Sequence, residues 1–252
     1  MTRRFTALLA AVVVAVAALA VLMDAPAGAA PRDRLPDLRM ARLSSIQIQT
    51  RSNGDRWLRF DTIIVNVGAG AFEARGSRPN TSIPTMSVRQ RIYNSAGGYH
   101  NRKTKAKMFY AGDGHDHWHL RNLEEYTLTP LDNGARARTG NKEGFCFFDN
   151  YRFGSTQAAR YGPGCANGQP GALSVTTGLS RGWGDIYRWN TVGQYINVTG
   201  LPRGRYRLRA TADKANRFKE SKENNNSTWA ELRIWGSRVS VIRYGPSAKP
   251  IG

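Results

Sequence analysis

Three of the chain's four histidines fall within five positions, His115, His117 and His119 in "DGHDHWHL". In a strand, alternate residues share a face. The three imidazoles then point one way, with Asp116 and Trp118 on the other side. Same-face neighbours sit about 6.5–7 Å apart along a strand, so two rings can converge on one ion. Bringing in the third needs local twist or a bulge, and the preceding "AGDG" supplies that freedom. Three unrelated core imidazoles would each need a separate partner, whereas one metal ion answers all three. Imidazole nitrogen suits copper, zinc, iron and nickel; Cu(II) leads in raw affinity and zinc is its natural rival.

The elements that must hold this strand also read as strands. "SIQIQTR" alternates apolar and polar residues, and "WLRFDTIIVNVGAGAFE" offers Leu58, Phe60, Ile63 and Val65 to a core. "QRIYN", "HLRNLEEYTLTPL", "QYINVTGL", "RYRLRATA" and "TWAELRIW" follow, separated by the turn-forming "SNGD", "GAG", "NSAGG", "LDNG", "LPRG" and "KENNNS". Short alternating runs with such turns predict an all-β fold, a β-sandwich with long Gly-rich loops. Only "GSTQAARYG" suggests a helical turn. The last two long runs predict a β-hairpin with a long connection. Within that connection "KESKENNN" could offer Glu220, Glu223 and the Asn run to calcium. It lacks the fixed spacing of a calcium loop, so a solvated connection is expected. The tail over 236–252 is expected to fray.

The first residues have a different character. Arg3 and Arg4 precede an apolar run over about 5–23, and "APAGAA" follows. This is the order of a secretory signal cleaved near Ala29 or Ala30, leaving 31–252 as a single domain. A retained membrane anchor is the alternative, since the run is long enough to span a bilayer. Export implies a secreted protein, extracellular or associated with the cell wall. Removing 1–30 takes Arg3, Arg4 and Asp24 from a net charge of +19, leaving +18. So basic a chain leaves anionic cell-wall or extracellular polymers, nucleic acid and acidic polysaccharide open as partners, beside a plain solvated surface that explains the charge equally well; there is no motif for specific nucleic acid. The two cysteines, Cys146 and Cys165, flank a Gly-rich polar segment and are expected to form a disulfide in an oxidising compartment.

The histidine motif followed by an acidic, strand-like segment resembles the copper-binding stretch of lysyl oxidases. The likeness continues in order. "NKEGFCFFD" resembles the segment carrying that family's cofactor lysine, which places Lys142 in the lysine role. "GLSRGWGDIYRWNTVGQYINVTGLPRGRYRL" resembles the segment carrying the cofactor tyrosine, which places Tyr187 in the tyrosine role. Even "KESKENNN" resembles the family's Glu-Ser…Asn-Asn close, so the likeness covers about 38–234. The chain departs in having two cysteines where the animal enzymes have many. It also has Asn122 where the family has an acid, with Glu124 and Glu125 nearby, which leaves the catalytic base unassigned.

The resemblance implies a copper-dependent amine oxidase. Copper and O2 would oxidise Tyr187, and the Lys142 amine would add to the ring, giving lysine tyrosylquinone. Primary amines, peptidyl lysine or small amines, would then be converted to aldehydes, with release of hydrogen peroxide and ammonia. Lys142 must be neutral to attack, and Lys103, Lys105 and Lys107 would help lower its pKa if the fold brings them near. It is expected on a mobile segment that rearranges to reach Tyr187. The base is to be sought among Asp113, Asp116, Glu124, Glu125 and Asp185, with Asp185 favoured because it lies two residues from Tyr187. Two readings compete. A non-catalytic extracellular copper- or zinc-binding β-sandwich needs the histidines but neither Lys142 nor Tyr187. A secreted nuclease fits the charge but lacks a partner motif.

Overall fold

A computed structural model describes residues 30–111, 115–140, 142 and 144–251. The expected signal segment and Asp113 lie outside the described residues, Ala30 excepted. Among the described residues there is no helix, so none long and apolar enough to cross a membrane. The fold is all-β, built from antiparallel sheets packed together, as the alternating runs predict. The turn expected in "GSTQAARYG" is irregular chain, held in part by Asp149, which accepts the Arg160 and Tyr161 N–H groups at 2.8 and 3.0 Å.

The histidine strand, His117–Arg121, lies near one edge of a seven-stranded sheet. Gly144–Phe145 pairs on its outer side and Tyr99–Ala111 on its inner side; Thr85–Asn94, Phe72–Ser77 and Ser174–Leu179 follow. A six-stranded sheet is organised around Arg56–Asn66, which pairs with Trp183–Tyr187 and with Leu38–Met40, Ser44–Thr50 and Ile196–Asn197. A five-stranded sheet contains Glu124–Pro130, Gly204–Ala212 and Ser227–Trp235. The last two form the expected hairpin, in register from Gly204↔Ile234 to Thr211↔Ser227.

The inward faces of all three sheets meet in one core, where Leu58, Phe60, Trp118, Tyr126, Phe147 and Tyr206 are almost wholly buried. Each such side chain contributes about 1.5–3 kcal/mol. One expectation about the C-terminal third is corrected. Over its described residues the tail is not a loose end: Arg238–Tyr244 is a strand paired with Ser227–Trp235, and Ala248 is buried with its N–H on the Met40 carbonyl at 2.8 Å. "KESKENNN" is a largely exposed connection, as expected, anchored by two buried residues. Glu220 and Asn226 are buried, Glu220 accepts the Leu38 N–H, and Asn226 donates to it at 2.7 Å. The Oδ1 atoms of Asp37, Asn225 and Asn226 are buried there without a hydrogen-bond partner. Burial pushes the Glu220 carboxyl up to about 9, against the pull of those two hydrogen bonds.

Candidate metal centre and active site

The regular strand begins at His117; His115 and Asp116 precede it. Asp116 has φ +41°, in the left-handed region. This kink is the departure from regular pleat that a third converging ring requires. Trp118 points to the opposite face, buried, its indole N–H on the Gln169 carbonyl at 3.1 Å. One donor nitrogen from each of His115, His117 and His119 lies within 4.8 Å of the others. The Nε2 atoms of His117 and His119 are 2.7 Å apart. Two ligands on bonds of about 2.1 Å can lie at most about 4.2 Å apart, so a pair at the outer limit closes by about half an ångström around an ion. Three convergent imidazoles therefore fit copper or zinc.

His119 is only 4 % exposed and packs edge-on against Phe109. On another side of its ring lies the space of a missing side chain. Gly144 pairs with Arg121, so a Cβ there would project toward the face that carries His119. That atom would lie 2.3 Å from His119 Nδ1 and 2.9 Å from its Cβ. Gly144 thus leaves the slot the imidazole fills. Sequence reasoning missed this residue; a glycine two residues after the candidate lysine is the one sign of it in the chain.

Lys142, in the irregular chain before Gly144–Phe145, and Tyr187, at the end of a strand, reach the same place. Tyr187 ends the strand Trp183–Tyr187, and its ring is flanked nearly at right angles by Phe145 and Phe147, with centroids 5.2 and 6.4 Å away. Its hydroxyl donates to the Cys146 carbonyl at 3.3 Å. Lys142 is buried, with Nζ 4.8 Å from the centre of the Tyr187 ring and 5.1 Å from that of Phe145. The rearrangement expected from the sequence is therefore not needed to bring amine and ring together. Lys103, Lys105 and Lys107 stand exposed on Tyr99–Ala111 and do not line this cavity. The Cys146–Cys165 disulfide is formed, with Cα atoms 6.0 Å apart, and the Cys165 carbonyl accepts the Trp118 N–H at 2.9 Å. It ties the Lys142 segment to the histidine strand.

The three histidines, Lys142, Tyr187 and Asp185 all line one cavity of about 480 Å³. Asp185 is 1 % exposed; its Oδ1 accepts from Asn150 Nδ2 at 2.6 Å, and its Oδ2 is buried without a hydrogen-bond partner. Burial raises its pKa well above the carboxylate range, against the pull of Tyr187, Asn150 and the Lys142 charge. Burial, then the Asp185 charge, likewise raises the Tyr187 phenol. The other candidate bases among the described residues lie elsewhere. Asp116 is exposed, and Glu125 is a surface ion pair with Lys214. Glu124 lines a neighbouring cavity of about 520 Å³ that Lys142 also borders, along with Asn122. Its Oε2 lies 2.8 Å from Tyr126 Oη and 3.3 Å from Thr62 Oγ1, and Oε1 is buried without a partner. Burial pushes Glu124 up to about 8, opposed by those hydrogen bonds and by Lys142.

A family model described as lysyl oxidase matches residues 80–243, which include the histidine strand, Lys142, Asp185 and Tyr187. No curated protein matches the chain at a significant level.

Proposed function

The chain belongs to the lysyl oxidase family, and from that premise we propose that it is a secreted copper-dependent amine oxidase that makes its own quinone cofactor from Lys142 and Tyr187. The observation that carries the reading is the single cavity. It gathers three metal-ligating imidazoles, a buried amine 4.8 Å from a phenol ring, and a buried carboxyl beside that ring. Copper, when bound by His115, His117 and His119, supplies the redox chemistry with O2 that a tyrosine cannot perform alone.

The protein's own groups do the rest. Phe145 and Phe147 fix the plane of the Tyr187 ring and restrict water on two sides. Lys142 presents Nζ toward that ring at 4.8 Å from its centre, so a local movement must bring it to the ~3–3.5 Å from which a bond forms. An ammonium is not a nucleophile, so a proton must leave it first. Asp185, with one oxygen anchored by Asn150, is the carboxyl in this cavity placed to take up a proton once it has been ionised, and its burial makes the carboxylate a strong base. It can serve again when the α-carbon proton of a bound primary amine is removed.

The test is hydrogen peroxide release from primary amines by copper-reconstituted protein, together with a carbonyl trapped by phenylhydrazine. Tyr187→Phe should bind copper and give neither. If copper binds stoichiometrically to the parent and no amine is oxidised, the metal-sequestering reading takes its place.

A further inference from the structure

The histidine-bearing sheet has a second face, turned away from the core. We infer that this face, over the strands Phe72–Ser77, Thr85–Asn94 and Tyr99–Ala111, is a binding surface for a linear anionic glycan. Register places Arg75 opposite Arg89 and Arg89 opposite Lys103. These residues point the same way, outward, because Val88, Gln90 and Met108 on the alternating positions are buried. Three cations thus form one row across three strands, spaced about 4.8 Å from strand to strand. Lys107 lies opposite Ser87 on the same face, and Lys105 stands between Lys103 and Lys107 where the register shifts.

Like charges directly opposite each other destabilise a sheet, and this row is scarcely neutralised. The strands Phe72–Ser77, Thr85–Asn94, Tyr99–Ala111 and Ser174–Leu179 contain one acid, Glu73. It is already engaged by Arg75 at 3.1 Å, Arg91 at 3.5 Å and Arg160 at 3.7 Å. Arg89, Lys103, Lys105 and Lys107 are exposed and have no carboxylate partner among the described residues. A polymer with an anionic group every ~5–7 Å would match the spacings between strands and along one strand and relieve the repulsion.

The chemistry between the cations favours a glycan over a nucleic acid. Surfaces that bind single strands place aromatic rings among the charges for base stacking. Here the positions beside the cations are hydroxyls. Ser87 lies opposite Lys107 and Ser77, and Thr176 lies opposite Arg75. Lys107 Nζ donates to Ser87 Oγ at 3.2 Å. Of the outward aromatics, Tyr93 and Tyr99 pair at the far end of the strands, with Arg91 covering Tyr99 at 3.7 Å from the ring centre, and Phe109 is taken up by the His119 ring and the Arg121 guanidinium.

The experiment compares two charge-matched variants of the whole exported chain. One carries Arg89→Gln, Lys103→Gln, Lys105→Gln and Lys107→Gln. The other carries Arg136→Gln, Arg203→Gln, Arg233→Gln and Arg238→Gln, all exposed and all away from this sheet. Binding to heparin and to dextran sulfate, used as anionic glycan probes, is followed by fluorescence anisotropy across a salt series. The first variant should lose at least tenfold in affinity, and its salt slope should shrink by about 0.7 for each cation that had bound an anionic group, or up to ~3. The second should stay near the parent. Thermal melting without glycan should show the first variant at least as stable as the parent, because its like-charge row is gone. Equal losses in both variants, or no binding by the parent, would overturn the inference. Tighter binding to oligo(dT) than to either glycan would overturn the choice of ligand.

Discussion

Replacing Gly144 by alanine adds a single methyl group, yet it should disable the metal centre. The new Cβ would sit 2.3 Å from His119 Nδ1, against an ordinary contact of 3.4 Å, so the ring must retreat by about 1 Å. His119 has little room to do so. It is 4 % exposed, packed on Phe109, and carried by a strand paired on both sides. Overpacking of this kind costs about 1–3 kcal/mol. In a chain of this size that corresponds to a fall in Tm of roughly 2–12 °C. The metal should suffer separately, because ligand distances tolerate only about 0.2 Å. Disturbing the support of a ligating histidine typically weakens binding about 10- to 100-fold. Calorimetric titration with Cu(II) and thermal melting of the metal-free protein measure the two effects apart. If Gly144→Ala binds copper as tightly as the parent and melts at the same temperature, His119 does not sit as described and the reasoning fails.

Replacing His117 by alanine should abolish both copper-dependent cofactor formation and peroxide release; activity at normal copper content would contradict the three-histidine site. Cys146 and Cys165 close a loop of 19 residues in separation, so replacing both with alanine should cost about 3 kcal/mol by chain entropy, read from denaturant unfolding with and without reductant. Glu124 titrates near 4.5 when unfolded but at about 8 in the fold. Between these values the folded state holds the extra proton, so its contribution lowers stability as pH rises from about 4.5 to about 8. Glu124→Gln keeps an acceptor for Tyr126 and Thr62 and should flatten that decline; unchanged pH dependence in urea melts at pH 5 and 8 would refute the burial argument.

Much of the site was legible because period-2 patterning governs both strands and histidine spacing. His115, His117 and His119 could be placed on one face from that period alone, and Cys146 and Cys165 paired from their number and context. Lys142 and Tyr187 were not legible from local chemistry, since a lysine in a polar turn and a tyrosine among tryptophans are ordinary. Their match, in order, to segments of the lysyl oxidase family carried them. Their close approach escaped the sequence because it depends on how the irregular chain before Gly144–Phe145 packs on the strand Trp183–Tyr187, which no local pattern encodes. The exposed strand Tyr99–Ala111, rich in Lys and Arg, was not among the predicted runs because it buries little; its place is set by pairing with Thr85–Asn94. The tail strand Arg238–Tyr244 was missed for the same reason, being an edge strand with a largely exposed pattern.

The central claim is that Lys142 and Tyr187 become one cofactor. The direct measurement is peptide mass spectrometry of the parent protein after copper reconstitution in air, with Lys142→Ala and Tyr187→Phe alongside. The account predicts a cross-linked peptide joining the Lys142 and Tyr187 segments, present only with copper and lost in both variants. Copper-loaded, aerated protein in which both residues are recovered as unmodified lysine and tyrosine would contradict it.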